Sequence, residues 1–115
     1  MDRHQEDPFH CAVEAGTDRV VLRPFGELDC WTVPAVEKHL LEVRAAGAGH
    51  VELDLAGLSF LDSSAVALVV RWMNISAEDG FLLRVCAGSP QVRRIFELTS
   101  ITHLLADGVA TGQLL

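Results

Sequence analysis

The sequence predicts an α/β domain whose helices lie against one sheet. Two observations carry this. Strand-like and helix-like segments alternate along the 115 residues, as they do in chains built from strand–helix–strand units. The most regular strand, residues 51–55, is apolar only at alternate positions: Val51, Leu53 and Leu55 against Glu52 and Asp54. That period means one covered face and one wet face. Half of the residues are apolar, enough for a globular core in a single domain of this length.

Residues 1–8 are polar and expected to fray. Residues 9–15 alternate well enough for a first strand, and Gly16, Thr17 and Asp18 supply turn chemistry. Residues 19–25 form a second strand, making a hairpin with the first. Pro24 interrupts that strand and suggests an edge or a bulge there. Residues 26–29 lead out of it.

Thr32 is a candidate N-cap, with Pro34 tolerated in the first turn. Val33, Val36, Leu40 and Val43 then recur at helical spacing, with Glu37, Lys38, Glu42 and Arg44 on other faces. The stretch 45–49, AAGAG, ends this helix. After the strand at 51–55, Gly57 and Ser59 break the pattern, and Leu58, Phe60 and Leu61 are expected as apolar loop residues pinned under the sheet edge. Asp62, Ser63 and Ser64 precede a helical apolar run, an N-cap signal. This second helix carries two apolar stripes, Val66–Val69–Val70–Met73 and Leu68–Trp72–Ile75, where a surface helix needs one. Either it is buried on two sides, or Trp72 anchors a partner.

Gly80 closes the second helix. Residues 81–87 form a fourth strand. Ser89 caps a third helix with Pro90 at its first position, and Val92, Ile95, Phe96 and Thr99 form its inner stripe. Residues 101–105 could add a short last strand, and the tail beyond Leu105 is too short for a full final helix.

Charge and composition remove whole classes of function. A net charge of −7 argues against nucleic acid or an acidic membrane surface as a partner. The longest apolar block, 65–70, ends at Arg71 and is far too short to span a bilayer. The opening MDRHQEDPF has no apolar core of a secretory signal, so a cytoplasmic location is expected. Cys11, Cys30 and Cys86 are odd in number and lack C-x-x-C spacing, so neither a disulfide framework nor a zinc site is expected. The five histidines form no H-x-x-x-H or H-E-x-x-H, so no metal is expected. There is no G-x-S-x-G elbow, P-loop or G-x-G-x-x-G. Enzyme activity and cofactors therefore have no residue-level support.

Four motifs in register point to a family. They are G-E-L-D at 26–29, LDLAGLSFLDSSA at 53–65, FLLRVCA after Gly80, and S-P-Q-V-R-R-I-F at 89–96. Together they resemble the STAS domain of bacterial anti-sigma factor antagonists. The resemblance covers roughly residues 9–105 of a single STAS domain spanning 1–115. It implies the STAS fold, a small mixed β-sheet with helices packed mainly on one face. It also implies a function. Such a protein binds an anti-sigma factor that is also a serine kinase, and so releases a sigma factor. Phosphorylation of the second serine of D-S-S, here Ser64, switches it off, and a separate phosphatase restores it.

Taken alone, D-S-S at a helix start reads as capping serines; the resemblance makes Ser64 the phosphoacceptor and Ser63 the runner-up. Asp62 would orient the acceptor or hold the loop. Asp29 would either help form the docking surface or simply close a turn. The partner surface is expected around Asp62, Ser63 and Ser64, the start of the second helix at Ala65, and the region from Asp29 to Thr32, with Trp72 as a candidate anchor. The family usually has Gly where this chain has Ala65, a better helix former, so the helix should start more stiffly here. Two rivals stay open. One is a non-switching STAS scaffold subunit of a stress-sensing assembly or a lipid-transport ATPase. The other is a small serine hydrolase using Ser64, which would need a histidine in hydrogen-bond reach.

Overall fold

The computed structural model describes residues 8–106; the expectations for the first seven residues and for the end of the chain lie outside them. β1 (His10–Ala15) and β2 (Val20–Leu28) form the antiparallel hairpin, closed by Gly16 N–H donating to the Arg19 carbonyl at 2.7 Å. α1 (Val33–Ala45) crosses to β3 (His50–Asp54), which lies parallel to β2. β4 (Leu58–Leu61) follows, then α2 (Ser63–Asp79), then β5 (Leu82–Cys86), parallel to β3. α3 (Pro90–Leu98) completes the main elements. The sheet is mixed and five-stranded, in the order β1–β2–β3–β5, with β4 attached to β2.

Alternation decides the faces. Leu22, Val51, Leu53, Leu83 and Val85 point into the core beneath Val36 and Leu40 of α1 and Leu68, Val69 and Trp72 of α2. On the opposite face the charges pair with each other. Arg23 bridges Glu14 and Asp54, and Arg19 pairs with Glu52 at 3.0 Å. One face is thus covered by helices and the other is a lattice of ion pairs exposed to solvent.

β2 runs longer than its sequence suggests. It pairs with β3 over Val20–Leu22, then takes up β4 from Gly26, with a register shift between Gly26 and Glu27. Pro24 falls in the gap between the two parallel partners, where no parallel neighbour requires its missing N–H. The irregularity expected at Pro24 therefore sits two residues later. Gly26 adopts φ +99 there, a conformation open mainly to glycine.

Residues 58–61 form a strand, not the loop expected of them. Leu58 and Leu61 are buried, while Phe60 is exposed. A four-residue strand flanked by turns is too short to show its period. The turn into it passes so close to β2 that a Cβ on Gly57 would lie 2.4 Å from the Phe25 ring.

Three further expectations change. α2 buries one broad stripe, Ala65–Leu68–Val69–Trp72–Ser76, while Val70 is exposed. Thr99 is the exposed C-cap of α3 and not part of its inner stripe. Residues 102–104 are a short 3-10 helix, and only Leu105 bridges to Val85 of β5.

Candidate functional site

The site forms where β2 and β4 end side by side. Leu28 pairs with Leu61 in register, and the Asp62 N–H donates to the Leu28 carbonyl at 3.2 Å. Two segments leave this junction. From β2 comes the turn 29–32 into α1, and from β4 comes Asp62 and the start of α2.

The Asp62 side chain is the N-cap of α2. Its Oδ1 accepts from the Ser64 N–H at 2.8 Å and from the Ala65 N–H at 3.4 Å. This satisfies two of the backbone donors that a helix start leaves free. Ser63 is exposed and Ser64 half-buried. Among the described residues neither serine hydroxyl makes a hydrogen bond. Two free hydroxyls therefore stand at the positive end of a seventeen-residue helix, where added negative charge is favoured by about 0.3–1 kcal/mol.

The 29–32 turn explains the G-E-L-D motif physically. Gly26 makes the bulge, Glu27 and Leu28 are buried, and Asp29 closes the turn. Asp29 Oδ1 accepts from the Trp31 N–H at 2.9 Å and the Thr32 N–H at 3.2 Å. The Thr32 hydroxyl donates to the Glu27 carbonyl at 2.7 Å and accepts from the Asp29 N–H at 2.9 Å. Thr32 therefore sits at the N-cap of α1 but ties the turn together rather than capping the helix. Asp29 takes the turn-closing role, with its carboxylate committed to the backbone.

Asp29, Asp62, Ser63 and Ser64 are thus brought together. Ala65 and Trp72 are not with them at the surface. Ala65 is fully buried and Trp72 is 3% exposed, because both lie on the core stripe of α2. The Trp72 indole N–H donates to Glu37 Oε2 at 2.8 Å, so its polar edge is satisfied inside the fold. Burial of the Ala65 methyl also means that replacing glycine adds no bulk where a partner would approach.

Trp31 falls inside the 29–32 region expected to face a partner, though the sequence does not single it out, and it is 83% exposed. Nothing in its local pattern distinguishes it from a buried tryptophan.

The hollow beside β4 is small for a ligand. A cleft of about 200 Å³ opens between β4 and Gln91, Val92 and Ile95 of α3, below the usual ligand-pocket range of about 300–1,000 Å³. A shallower trough of about 490 Å³ runs along α1 past Leu41, away from the serines. Among the described residues no cluster of His, Cys, Asp or Glu could hold a metal ion. Nor is any described helix long and apolar enough to cross a membrane.

A one-sided mixed sheet with a serine-bearing helix start beside the paired ends of two strands defines a class of small α/β domain. This chain belongs to the STAS domain family, which residues 11–111 match. It is 31% identical over 80 residues to an anti-sigma-B factor antagonist of Staphylococcus epidermidis, covering 70% of this chain and 74% of that one. Its fold superposes on the anti-sigma factor antagonist SpoIIAA in its unphosphorylated form with a TM-score of 0.70 at 28% identity, over 84% of this chain and 85% of that one. The phosphorylated form of the Bacillus cell fate determinant SpoIIAA gives 0.65 at 25% identity, over 92% and 100%.

Proposed function

We propose that this chain is an anti-sigma factor antagonist: a single-domain bacterial, cytoplasmic binding protein with no turnover of its own. Unphosphorylated, it binds an anti-sigma factor that is also a serine kinase, and so frees a sigma factor. Phosphorylation at Ser64 ends that binding, and a phosphatase acting on phospho-Ser64 restores it. One observation carries the reading. In a chain of this family, the D-S-S serines present hydroxyls that are unbonded among the described residues, at a helix start that Asp62 has already capped.

The chemistry is consistent with an interface switch. A phosphate adds about −1.5 to −2 charge. At the helix start the dipole favours it while Asp62, 2.8 Å from the Ser64 nitrogen, opposes it, so the fold is left intact. Against a desolvated partner surface the same charge costs about 2–5 kcal/mol. The partner therefore reads it and the domain does not. Ala65, where the family usually has glycine, keeps its methyl buried and adds no bulk beside the serines.

The test is direct. The protein is incubated with each purified serine-kinase anti-sigma factor of its source organism and magnesium ATP. One phosphate should be added, and mass spectrometry of residues 61–71 should place it on Ser64. A phosphate on Ser63 moves the acceptor by one residue. Phosphate on neither serine would sink the switch.

A further inference from the structure

We propose that Trp31 is the anchor by which the partner that reads Ser64 grips this domain, seated in an apolar socket on that partner. The proposal rests on the antagonist reading above and adds to it the residue that supplies affinity.

Among the described residues Trp31 is the most exposed of the large apolar side chains, at 83%. An indole so placed offers about 150–250 Å² for burial, a fifth or more of the roughly 800 Å² that each side of a standard interface contributes. Its backbone is already ordered. Asp29 Oδ1 holds the Trp31 and Thr32 N–H groups, and the Thr32 hydroxyl ties the turn to the Glu27 carbonyl. Most of the ordering cost that weakens loop contacts on binding is therefore already met. Rigid, exposed tryptophans are the side chains that dominate binding energy at interfaces.

Its position selects the occupant. Leu28 and Asp62 are joined by a backbone hydrogen bond. Trp31 stands three residues beyond the first and Ser64 two beyond the second. A patch of about 800 Å² is roughly 30 Å across, so a partner surface that desolvates Ser64 also covers Trp31. Leu41, 58% exposed, lies eight residues further along α1 than Val33, about 12 Å, on a helix that leads away from that junction. It falls toward or beyond the rim.

The two contacts divide the labour. Indole burial does not depend on the charge at Ser64, so Trp31 contributes to affinity in both states while the serine does the switching. Dissociation constants for the purified anti-sigma factor that phosphorylates the chain are measured with wild type, Trp31→Ala, Ser64→Asp and the double variant. Trp31→Ala should melt as wild type does and bind at least about tenfold more weakly. The same factor should appear on the Ser64→Asp background, as for independent sites. Leu41→Ala should stay within about twofold of wild type.

Labelling with 5-fluorotryptophan gives two ¹⁹F resonances, assigned with Trp31→Phe. The Trp31 signal should move on complex formation and the Trp72 signal should not. Binding by Trp31→Ala within about twofold of wild type, or an unmoved Trp31 resonance in the formed complex, overturns the proposal and leaves the antagonist reading standing. So does a loss at Leu41→Ala as large as that at Trp31→Ala. A Trp31 signal that shifts with the chain's own concentration, before any partner is added, would put a second copy in the socket's place and overturn it too. If no serine-kinase anti-sigma factor binds or phosphorylates wild type, the antagonist reading falls and this proposal with it.

Discussion

The carboxylate of Glu37 accepts the indole N–H of Trp72 at 2.8 Å, joining α1 to α2 above the core. Arg71 reaches the same carboxylate with two nitrogens, at 3.1 and 3.2 Å. On its far side Trp72 meets Phe81 edge-on, with ring centroids 6.5 Å apart, and Arg44 lies over the Phe81 ring at 4.1 Å. Trp72 is thereby a keystone of the helix layer.

Trp72→Ala should accordingly cost about 3–5 kcal/mol, the usual loss for truncating a buried aromatic. That is a large share of the stability of a domain this size. Urea denaturation would register it as a markedly lower midpoint. A variant that melts like wild type but loses partner binding would return Trp72 to the surface role that its place on the core stripe denies it.

The same cluster predicts an acid-sensitive step. The Arg71 guanidinium, and to a lesser degree the Trp72 N–H, hold the Glu37 carboxyl below its ordinary value despite partial burial. Because the folded-state pKa is the lower one, the unfolded chain binds the proton first as pH falls. The contribution is therefore complete above the unfolded value, about 4.3, and is lost as pH drops through the depressed folded value. Glu37→Gln should be less stable than wild type at pH 7, and the gap should narrow as pH falls below the unfolded value and through the lower folded one. A gap that stayed constant across that range would show that charge on Glu37 plays no part.

These contacts also mark what the sequence could reveal. The α/β class, the three main helices and the capped start of α2 were legible, because strand and helix periods and N-cap residues are local signals. Val51 and Leu53 declared their faces in this way. Glu37 did not. Its spacing puts it off the apolar stripe of α1, and only the packing of α2 turns it toward Trp72. Trp31 and Trp72 show the same limit. Both are tryptophans, yet Trp31 is exposed in the turn before α1 and Trp72 is buried on the core stripe of α2, and only tertiary packing separates them. Strand β4 escaped because pairing with the bulged end of β2, not its own four residues, makes it a strand. At the site, the D-S-S and G-E-L-D motifs could be read from the sequence, but their approach could not, because it depends on the pairing of β2 with β4 and the backbone hydrogen bond from Asp62 to Leu28.

Asp62 should matter for the fold more than either serine. It alone caps α2, so Asp62→Ala should cost about 0.5–2 kcal/mol, and Asp62→Asn should recover most of it. Thermal melts of the two variants check this. Equal losses for both would mean that the carboxylate charge, and not its hydrogen bonds, is what the helix start uses.

The last prediction is that charge at Ser64 controls binding without touching the fold. The Ser64 hydroxyl is unbonded among the described residues and Asp62 does the capping. Ser64→Ala should therefore fold within about 0.5 kcal/mol of wild type, as surface substitutions usually do. It should also bind the anti-sigma factor constitutively, since no phosphate can be added. Ser64→Asp should fold as well, because an acidic residue in the first helical turn gains about 0.3–1 kcal/mol from the dipole, offset by its neighbour Asp62. Its single charge is only part of the roughly −1.5 to −2 of a phosphate, so binding should weaken but persist, by about tenfold or more relative to Ser64→Ala. Titration calorimetry with the phosphorylating anti-sigma factor, beside melts of both variants, separates the two effects. If Ser64→Asp bound as tightly as Ser64→Ala while both stayed folded, charge at this position would not be the switch.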